Sequence, residues 1–171
     1  MRRTILGILA SAILASAPTA TGADTGGWQE AKWGMTPAEV QKILSYPTRI
    51  ADLAKVCGTD CNEGAALELD DYQLDGQHFV VRLWFTKPDI RLQAVSLYAK
   101  QLDDANGNEA FSKIKKFLET SYGTPGSITL KRGDFVISWR LPSTTITLYS
   151  NAMNNLTIVY EQKSDKQSGK S

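Results

Sequence analysis

Histidine and cysteine are scarce in this sequence, whose 171 residues include one histidine, His78, and two cysteines, Cys57 and Cys61. A nucleophile activated by histidine therefore has a single possible base. A zinc site is disfavoured because His78 lies in a different element from the two cysteines. Phosphate-binding glycine-rich loops and EF-hand loops are absent as well. The sequence thus predicts no catalytic residue, no metal and no cofactor.

The sequence also lacks an excess of either charge and a long apolar run. Its 19 basic residues nearly balance its 18 acidic ones and form no stripe, so a nucleic-acid partner is not expected. The apolar run of residues 5–17 is shorter than the ~20 residues that span a membrane. Because Arg2 and Arg3 precede it and small residues follow it, residues 1–23 have the pattern of a signal peptide. We therefore expect a periplasmic or secreted protein that starts near Asp24, with no integral membrane segment after cleavage.

The two cysteines lie four positions apart, at Cys57 and Cys61. Export to an oxidising compartment favours a disulfide between them. So small a loop would contribute about 2 kcal/mol, which suits a role in shaping a loop. A redox role is the alternative, but the spacing is C-x-x-x-C instead of C-x-x-C, and no βαβ pattern surrounds it.

A helix start is the clearest local signal in the sequence. Thr36 and Glu39 have the spacing of a capping box, in which each side chain accepts a hydrogen bond from the other residue's backbone N–H. Pro37 occupies the first helical position, where its missing N–H costs nothing. The pattern predicts a helix from Pro37 to about Ser45.

Alternating hydrophobicity predicts strands in the rest of the chain. A first strand is predicted from Ala66 to the Asp75-Gly76 dipeptide, which is a strong type I′ hairpin signal. The strand after it, residues 77–86, has large apolar residues at every second position. A second helix is expected after Asn106, capped with Glu109 and ended by Gly123. Further strands are predicted at residues 91–100, 127–131, 134–141, 143–150 and 155–162.

The order of these elements is helix, three strands, helix, four strands, which resembles one unit used twice. We expect a single α+β domain at residues 24–163, with pseudo-repeats at about 28–102 and 103–163. Two helices would pack on one face of an antiparallel sheet, as a tandem repeat of a helix-plus-three-strand unit. The polar tail, residues 164–171, is expected to be disordered.

The first helix carries a resemblance to a known group of proteins. Gly34-Met35-Thr36, followed by Val40, Leu44 and Pro47, resembles the helix opening of small exported bacterial proteins with the fold of the outer-membrane-assembly lipoprotein and β-lactamase inhibitor protein group. The resemblance implies a two-layer α+β fold used for protein–protein contact and not for catalysis.

One face of the predicted sheet has the composition of an interface. Opposite the apolar face, the strands carry Arg82, Trp84, Arg140 and Tyr149, and such side chains on a polar surface are typical of protein interfaces. The alternative is an ordinary solvated face of an antiparallel sheet. These four residues are the predicted binding site.

The sequence therefore predicts an exported, envelope-associated module that binds another envelope or periplasmic protein and has no catalytic activity. The alternative function is that of a small periplasmic enzyme. It would be a hydrolase that uses His78 or a thiol-redox enzyme that uses Cys57 and Cys61.

Overall fold

The computed structural model describes residues 24, 26–52, 63–100, 102, 106–131, 133–151 and 155–163. Three predictions lie outside the described residues: the signal peptide, the disulfide between Cys57 and Cys61, and the disordered tail at 164–171. Within the part that is described, neither helix is long and apolar enough to cross a membrane.

The described residues form ten strands and two helices. Their bounds are β1 Gly27–Trp28, β2 Ala31–Lys32, α1 Pro37–Ile43, β3 Arg49–Ile50, β4 Glu63–Leu74, β5 Gln77–Thr86, β6 Arg91–Ala99, α2 Gly107–Tyr122, β7 Ser127–Lys131, β8 Asp134–Arg140, β9 Thr144–Ser150 and β10 Leu156–Gln162. Strands β1 and β2 form a small hairpin. The other eight make one antiparallel sheet in the order β3-β4-β5-β6-β10-β9-β8-β7.

The fold class predicted from the sequence, an α+β tandem repeat of a helix-plus-three-strand unit, is wrong. About 50% of the described residues lie in strands and about 20% in helices. Strand β6 pairs directly with β10, so the strands that follow both helices share one sheet. Helix α1 has seven residues, too few to cover a sheet of its own. One continuous sheet prevails because pairing across its width satisfies backbone groups that separate units would leave open at their edges.

Helix α1 begins as the sequence predicts. The Thr36 backbone N–H donates to Glu39 Oε2 at 2.8 Å, and the Glu39 N–H donates to Thr36 Oγ1 at 3.3 Å. Pro37 is the first helical residue. The helix ends at Ile43, two residues earlier than predicted, because Leu44 already has an extended backbone.

The hairpin of β4 and β5 also follows the sequence. Asp75 and Gly76 both have positive φ, 48° and 78°, as a type I′ turn requires. The alternation in β5 places one set of side chains in the core, with 0% of each exposed: Phe79, Val81, Leu83 and Phe85. We call this side of the sheet the near face and the opposite side the far face.

The near face holds the main hydrophobic core. Its other strands contribute Leu97, Ile137, Trp139, Ile146, Leu148 and Ile158, all at most 1% exposed. Helix α2 covers part of it with Ala110, Ile114 and Leu118. Phe135 also lies on the near face, but it is 40% exposed because β8 is next to the edge of the sheet.

The ends of α2 differ in how well the sequence predicts them. Gly123 ends the helix with φ 79°, as expected. The predicted capping box of Asn106 and Glu109 is wrong, because Asn106 has a helical backbone and its side chain makes no capping hydrogen bond. The Trp139 indole N–H donates to the Gly123 carbonyl at 2.9 Å and so fastens the end of α2 to the sheet.

The N-terminal segment closes the remaining part of the near face. The rings of Trp28 and Tyr72 meet edge to face with centroids 5.3 Å apart. The Gln29 amide donates to the Tyr72 hydroxyl at 2.7 Å, and the Trp33 indole N–H donates to Thr144 Oγ1 at 3.0 Å. Burial raises the pKa of Tyr72, which keeps its hydroxyl protonated. This segment supplies the cover that the short helix α1 cannot.

Asp24 anchors the same segment to the turn between β8 and β9. Its carboxylate accepts hydrogen bonds from the Ser143 backbone N–H, from Ser143 Oγ at 2.7 Å, from Thr144 Oγ1 at 3.0 Å and from the Gly26 N–H at 3.2 Å. Burial alone would raise the pKa of Asp24, but the hydrogen bonds from Ser143, Gly26 and Thr144 outweigh it and lower that pKa. The charged form of Asp24 therefore stabilises the fold.

Asp24→Asn is expected to lower the free energy of unfolding by about 2 kcal/mol at neutral pH, because a charged acceptor is lost. The contribution of Asp24 is present above the ordinary pKa of 3.8 and is lost as the pH falls through the lower folded-state value. Urea unfolding of both proteins from pH 7 down to about pH 2 measures the difference. A difference that stays constant over this range would contradict the assigned role.

Candidate interaction surface

The strand register sorts the far face into rows, since residues directly opposite each other on paired strands point to the same side. The central row is Arg49, Glu68, Arg82, Ser96, Val159, Thr147, Ser138 and Ser127. On one side of it lie Val80, Tyr98, Thr157, Tyr149, Val136 and Thr129. On the other side lie Ala66, Trp84, Ala94, Glu161, Thr145 and Arg140. All four residues of the predicted binding site fall within these three rows.

Trp84 lies on the far face but is 9% exposed. It packs with Ala51, Ala66 and Ala94 in a second, small hydrophobic cluster. Ala51 lies beside β4 as a continuation of β3, because its N–H donates to the Ala66 carbonyl at 2.9 Å. The Trp84 indole N–H donates to Ser96 Oγ at 3.1 Å. Trp84 therefore contributes packing at this end of the far face and exposes little surface to a partner.

Arg82 is held by its neighbours in the central row. Its Nε–H donates to Glu68 Oε2 at 2.6 Å, and its guanidinium carbon lies 4.9 Å from the centre of the Tyr98 ring. The Glu68 side chain is 6% exposed and also pairs with Arg49, whose side chain is 60% exposed. Arg49 makes a further ion pair with Asp70 at 3.0 Å. Arg82 thus completes a charge network that satisfies a buried carboxylate.

Arg140 and Tyr149 are the exposed members of the predicted site. Tyr149 is 43% exposed, and Arg140 at the end of β8 is exposed as well. Strand spacings of ~4.8 Å and residue rises of ~3.3 Å separate Arg140 from Trp84 by about 19 Å and from Tyr149 by about 14 Å. The structure therefore spreads the four residues across the far face and does not gather them in one pocket.

Tyr98 is a far-face residue that the sequence interpretation missed. It is half-buried on β6 and lies two strands from Tyr149 in the same row, with Thr157 between them. The alternation of Ala94, Ser96 and Tyr98 against the buried Val95 and Leu97 was the available signal. It was insufficient because the position of β6 beside β10 is a long-range pairing.

His78, the base of the alternative enzymatic hypothesis, lies near the β4–β5 turn. Its Nδ1 and Asp71 Oδ1 are 2.8 Å apart, and its Nε2 lies 2.9 Å from the Gln73 amide nitrogen. With Nδ1–H donating to Asp71 and Nε2 accepting from Gln73, both ring nitrogens have partners. The hydrogen bond from His78 lowers the pKa of Asp71, helped by Lys100 at 3.7 Å. Neither ring nitrogen is thus bonded to a hydroxyl nucleophile in the described residues.

Two shallow grooves flank Lys113 on α2. They are lined by Asp75, Gly76, Gln77, Asn106, Glu109, Ala110, Lys113, Lys116, Phe117 and Thr120. Lys113 pairs with Glu109 at 2.6 Å one turn earlier on the helix. Such pairs are an ordinary feature of a solvated helix face. In the part of the chain that is described, no group of three or more His, Cys, Asp or Glu side chains is placed to hold a metal ion.

Comparison with known proteins gives little guidance on function. No family model matches the chain, and no curated protein matches it. Among solved structures, it is similar to a DUF4309 family protein (YjgB) from Bacillus subtilis, with 11% sequence identity, a TM-score of 0.42 and coverage of 75% of this chain and 78% of that one. The predicted resemblance to the outer-membrane-assembly lipoprotein and β-lactamase inhibitor protein group has no support at the level of family or sequence. The comparisons indicate no catalytic family, and a likeness this weak carries no argument about function.

Proposed function

We propose that this protein is an exported binding module without catalytic activity, which recognises another periplasmic or envelope protein through the far face of its sheet. The observation that carries the proposal is the exposure of Tyr149 at 43% within a row that also holds Tyr98, Val80 and Val136. Tyr149 lies on β9, two strands in from the β7 edge, and exposed aromatic residues on such a surface are typical interface anchors.

The surroundings of Tyr149 suit a protein partner. Serine and threonine side chains fill much of the three rows and offer adaptable hydrogen bonds, while Arg140 supplies an exposed charge near one edge. An apolar and aromatic centre with a polar rim is the usual anatomy of a protein interface. Sheets buried on one face and polar on the other also occur without partners, so the exposed tyrosine is the feature to test.

Arg82 and Trp84 have a supporting role in this proposal. Arg82 contacts Glu68 and Tyr98, and Trp84 is 9% exposed and donates to Ser96. Both hold the β5 end of the far face rigid, which lowers the entropy lost when a partner binds. The direct contacts would come from Arg140, Tyr149 and Tyr98.

The double variant Tyr149→Ala, Arg140→Ala is expected to reduce recovery of the partner at least tenfold in a crosslinking pull-down from the periplasm. Loss of one aromatic anchor and one arginine from an interface costs about 2 kcal/mol or more. Far-UV circular dichroism should show that this double variant is folded, since neither Tyr149 nor Arg140 is in the core.

A matched control is Tyr46→Ala, Lys113→Ala. It also removes one exposed tyrosine and one exposed basic residue, but from the turn after α1 and from α2. The control should recover the partner as the unmodified chain does. Equal recovery with the far-face variant would contradict the proposal.

A further inference from the structure

Strand β7 is an unprotected edge of the eight-stranded sheet. It pairs with β8 along its whole length, from Ser127 to Lys131, without a register shift, and no other described strand pairs with its outer side. Natural edge strands are commonly blunted by proline, bulges or inward-pointing charges. The only charged residue in β7 is Lys131 at its end, and the strand contains no proline.

The near-face side of this edge is apolar and exposed. Ile128 is 60% exposed, Leu130 63% and Phe135 of the adjacent strand 40%. Phe135 stacks on Phe111 of α2 with ring centroids 5.4 Å apart, so the exposed strip joins the core. Three such side chains together form a patch that needs a cover more than scattered ones do.

The pattern of β7 is symmetric about its middle residue. Thr129 is the central residue of five, with an apolar residue on each side, Ile128 and Leu130. If two copies of β7 run antiparallel with Thr129 opposite Thr129, each Ile128 faces a Leu130 of the other copy on the near face. In a strand, alternate residues point their backbone N–H and C=O groups to the same edge. Either Thr129 points these groups outward or Ile128 and Leu130 do, and each pattern is symmetric about Thr129. The same antiparallel pairing is therefore possible in both cases.

We propose that β7 pairs antiparallel with β7 of a second copy of this chain, about a twofold axis that passes between the two Thr129 residues. Such an isologous contact closes on itself and does not propagate into fibres. It packs Ile128 of each copy beside Leu130 of the other and satisfies the open edge. Each far face then continues across Thr129 into the far face of the other copy, so the dimer presents one surface twice as wide.

The area of this contact sets its strength. Edge pairing buries the open strand backbones and the facing sides of Ile128 and Leu130 in both copies, which is less than the roughly 1,000 Å² of a specific interface. The dimer should therefore be weak and depend on concentration. Its formation does not require that the far face binds a partner.

A cysteine at the twofold axis tests the proposal. In Thr129→Cys the two introduced thiols would be opposite each other, with Cα atoms about 5 Å apart, within the range for a disulfide. Mild oxidation of the exported chain should convert most of this variant to a covalent dimer. Ser127→Cys is the matched control, because Ser127 lies opposite position 131 of the second copy and would not meet itself. The unmodified chain controls for Cys57 and Cys61.

Sedimentation of the unmodified chain over about a hundredfold range of concentration provides a second measurement, in which the average mass should rise towards that of a dimer. Ile128→Lys should remain a monomer at every concentration while keeping the same circular dichroism spectrum. Equal crosslinking of the Thr129→Cys and Ser127→Cys variants would overturn the proposal. A monomer of the unmodified chain throughout the range would do so too, whether the edge then stays open or accepts a strand of another protein.

Discussion

Replacing Trp139 with alanine is expected to lower the free energy of unfolding by about 4 kcal/mol, because a large aromatic side chain is lost from a close-packed core. Trp139 is 1% exposed and belongs to the main hydrophobic core of the near face. Its indole N–H also donates to the carbonyl of Gly123, the C-cap residue of α2. The substitution therefore removes packing and a helix-end hydrogen bond together.

Trp139→Phe separates the two contributions, since it keeps most of the packing and removes the donor. Its expected cost is about 2 kcal/mol, as for a lost hydrogen bond and partly lost volume. Phe135→Ala, at a 40% exposed position on the same strand, is the control and should cost less than either. Urea unfolding followed by far-UV circular dichroism measures all three. A loss below about 1 kcal/mol for Trp139→Ala would show that this position does not hold the core together.

Removing the carboxylate of Glu68 is expected to have the second largest effect. Glu68→Ala should lower the free energy of unfolding by about 3 kcal/mol, the lower end of the range for breaking a buried ion pair. Glu68 is 6% exposed and bonded to both Arg49 and Arg82, while the Arg82 side chain is only 26% exposed. Without Glu68, Arg82 keeps the Tyr98 ring but loses its counter-charge.

A double-mutant cycle isolates the pair. Glu68→Ala combined with Arg82→Ala should cost less than the sum of the single changes, because Arg82 is no longer left without its counter-charge. Arg49→Ala is the matched control on the other side of Glu68. Its side chain is 60% exposed, so its loss should cost less than the loss of Glu68. Additive effects of Glu68→Ala and Arg82→Ala would contradict the network.

This network also bears on the proposed function. While Glu68 holds Arg82, the arginine is unavailable to a partner, and a substitution of Arg82 acts on stability first. Tyr149 and Arg140 are free of this complication because both are exposed. Partner recovery and unfolding free energy should therefore be measured together for each far-face variant.

Local signals in the sequence predicted local structure well. The hydroxyl and carboxylate of Thr36 and Glu39 lie three residues apart, and that spacing alone brings them to each other's backbone N–H. Asp75-Gly76 tolerates positive φ at both positions and so determines the turn and, through it, the register of β4 with β5. Asn106 shows the limit of such signals. A similar residue pattern did not become a capping box there, because Asn106 has a helical backbone and its side chain makes no capping hydrogen bond.

The candidate site was predicted only in part. The period of two correctly separated Arg82 and Trp84 from the buried Phe79 and Phe85, since alternation follows from strand geometry alone. It could not show that Trp84 clusters with Ala51 and is only 9% exposed, because Ala51 lies more than thirty residues away in sequence. A side chain on the outward face of a strand is therefore not always exposed in the folded protein.

The sequence by itself determined the start of α1, the end of α2, the turn between β4 and β5, and the alternation of faces along the longer strands. Only the tertiary structure decided that β6 pairs with β10, that one sheet replaces two repeated units, and that β7 remains an open edge. The physical reason is that backbone N–H and C=O groups are the same in every strand. Local spacing fixes how a strand turns back on its neighbour, whereas the choice between distant strands depends on which edges meet once the core is packed.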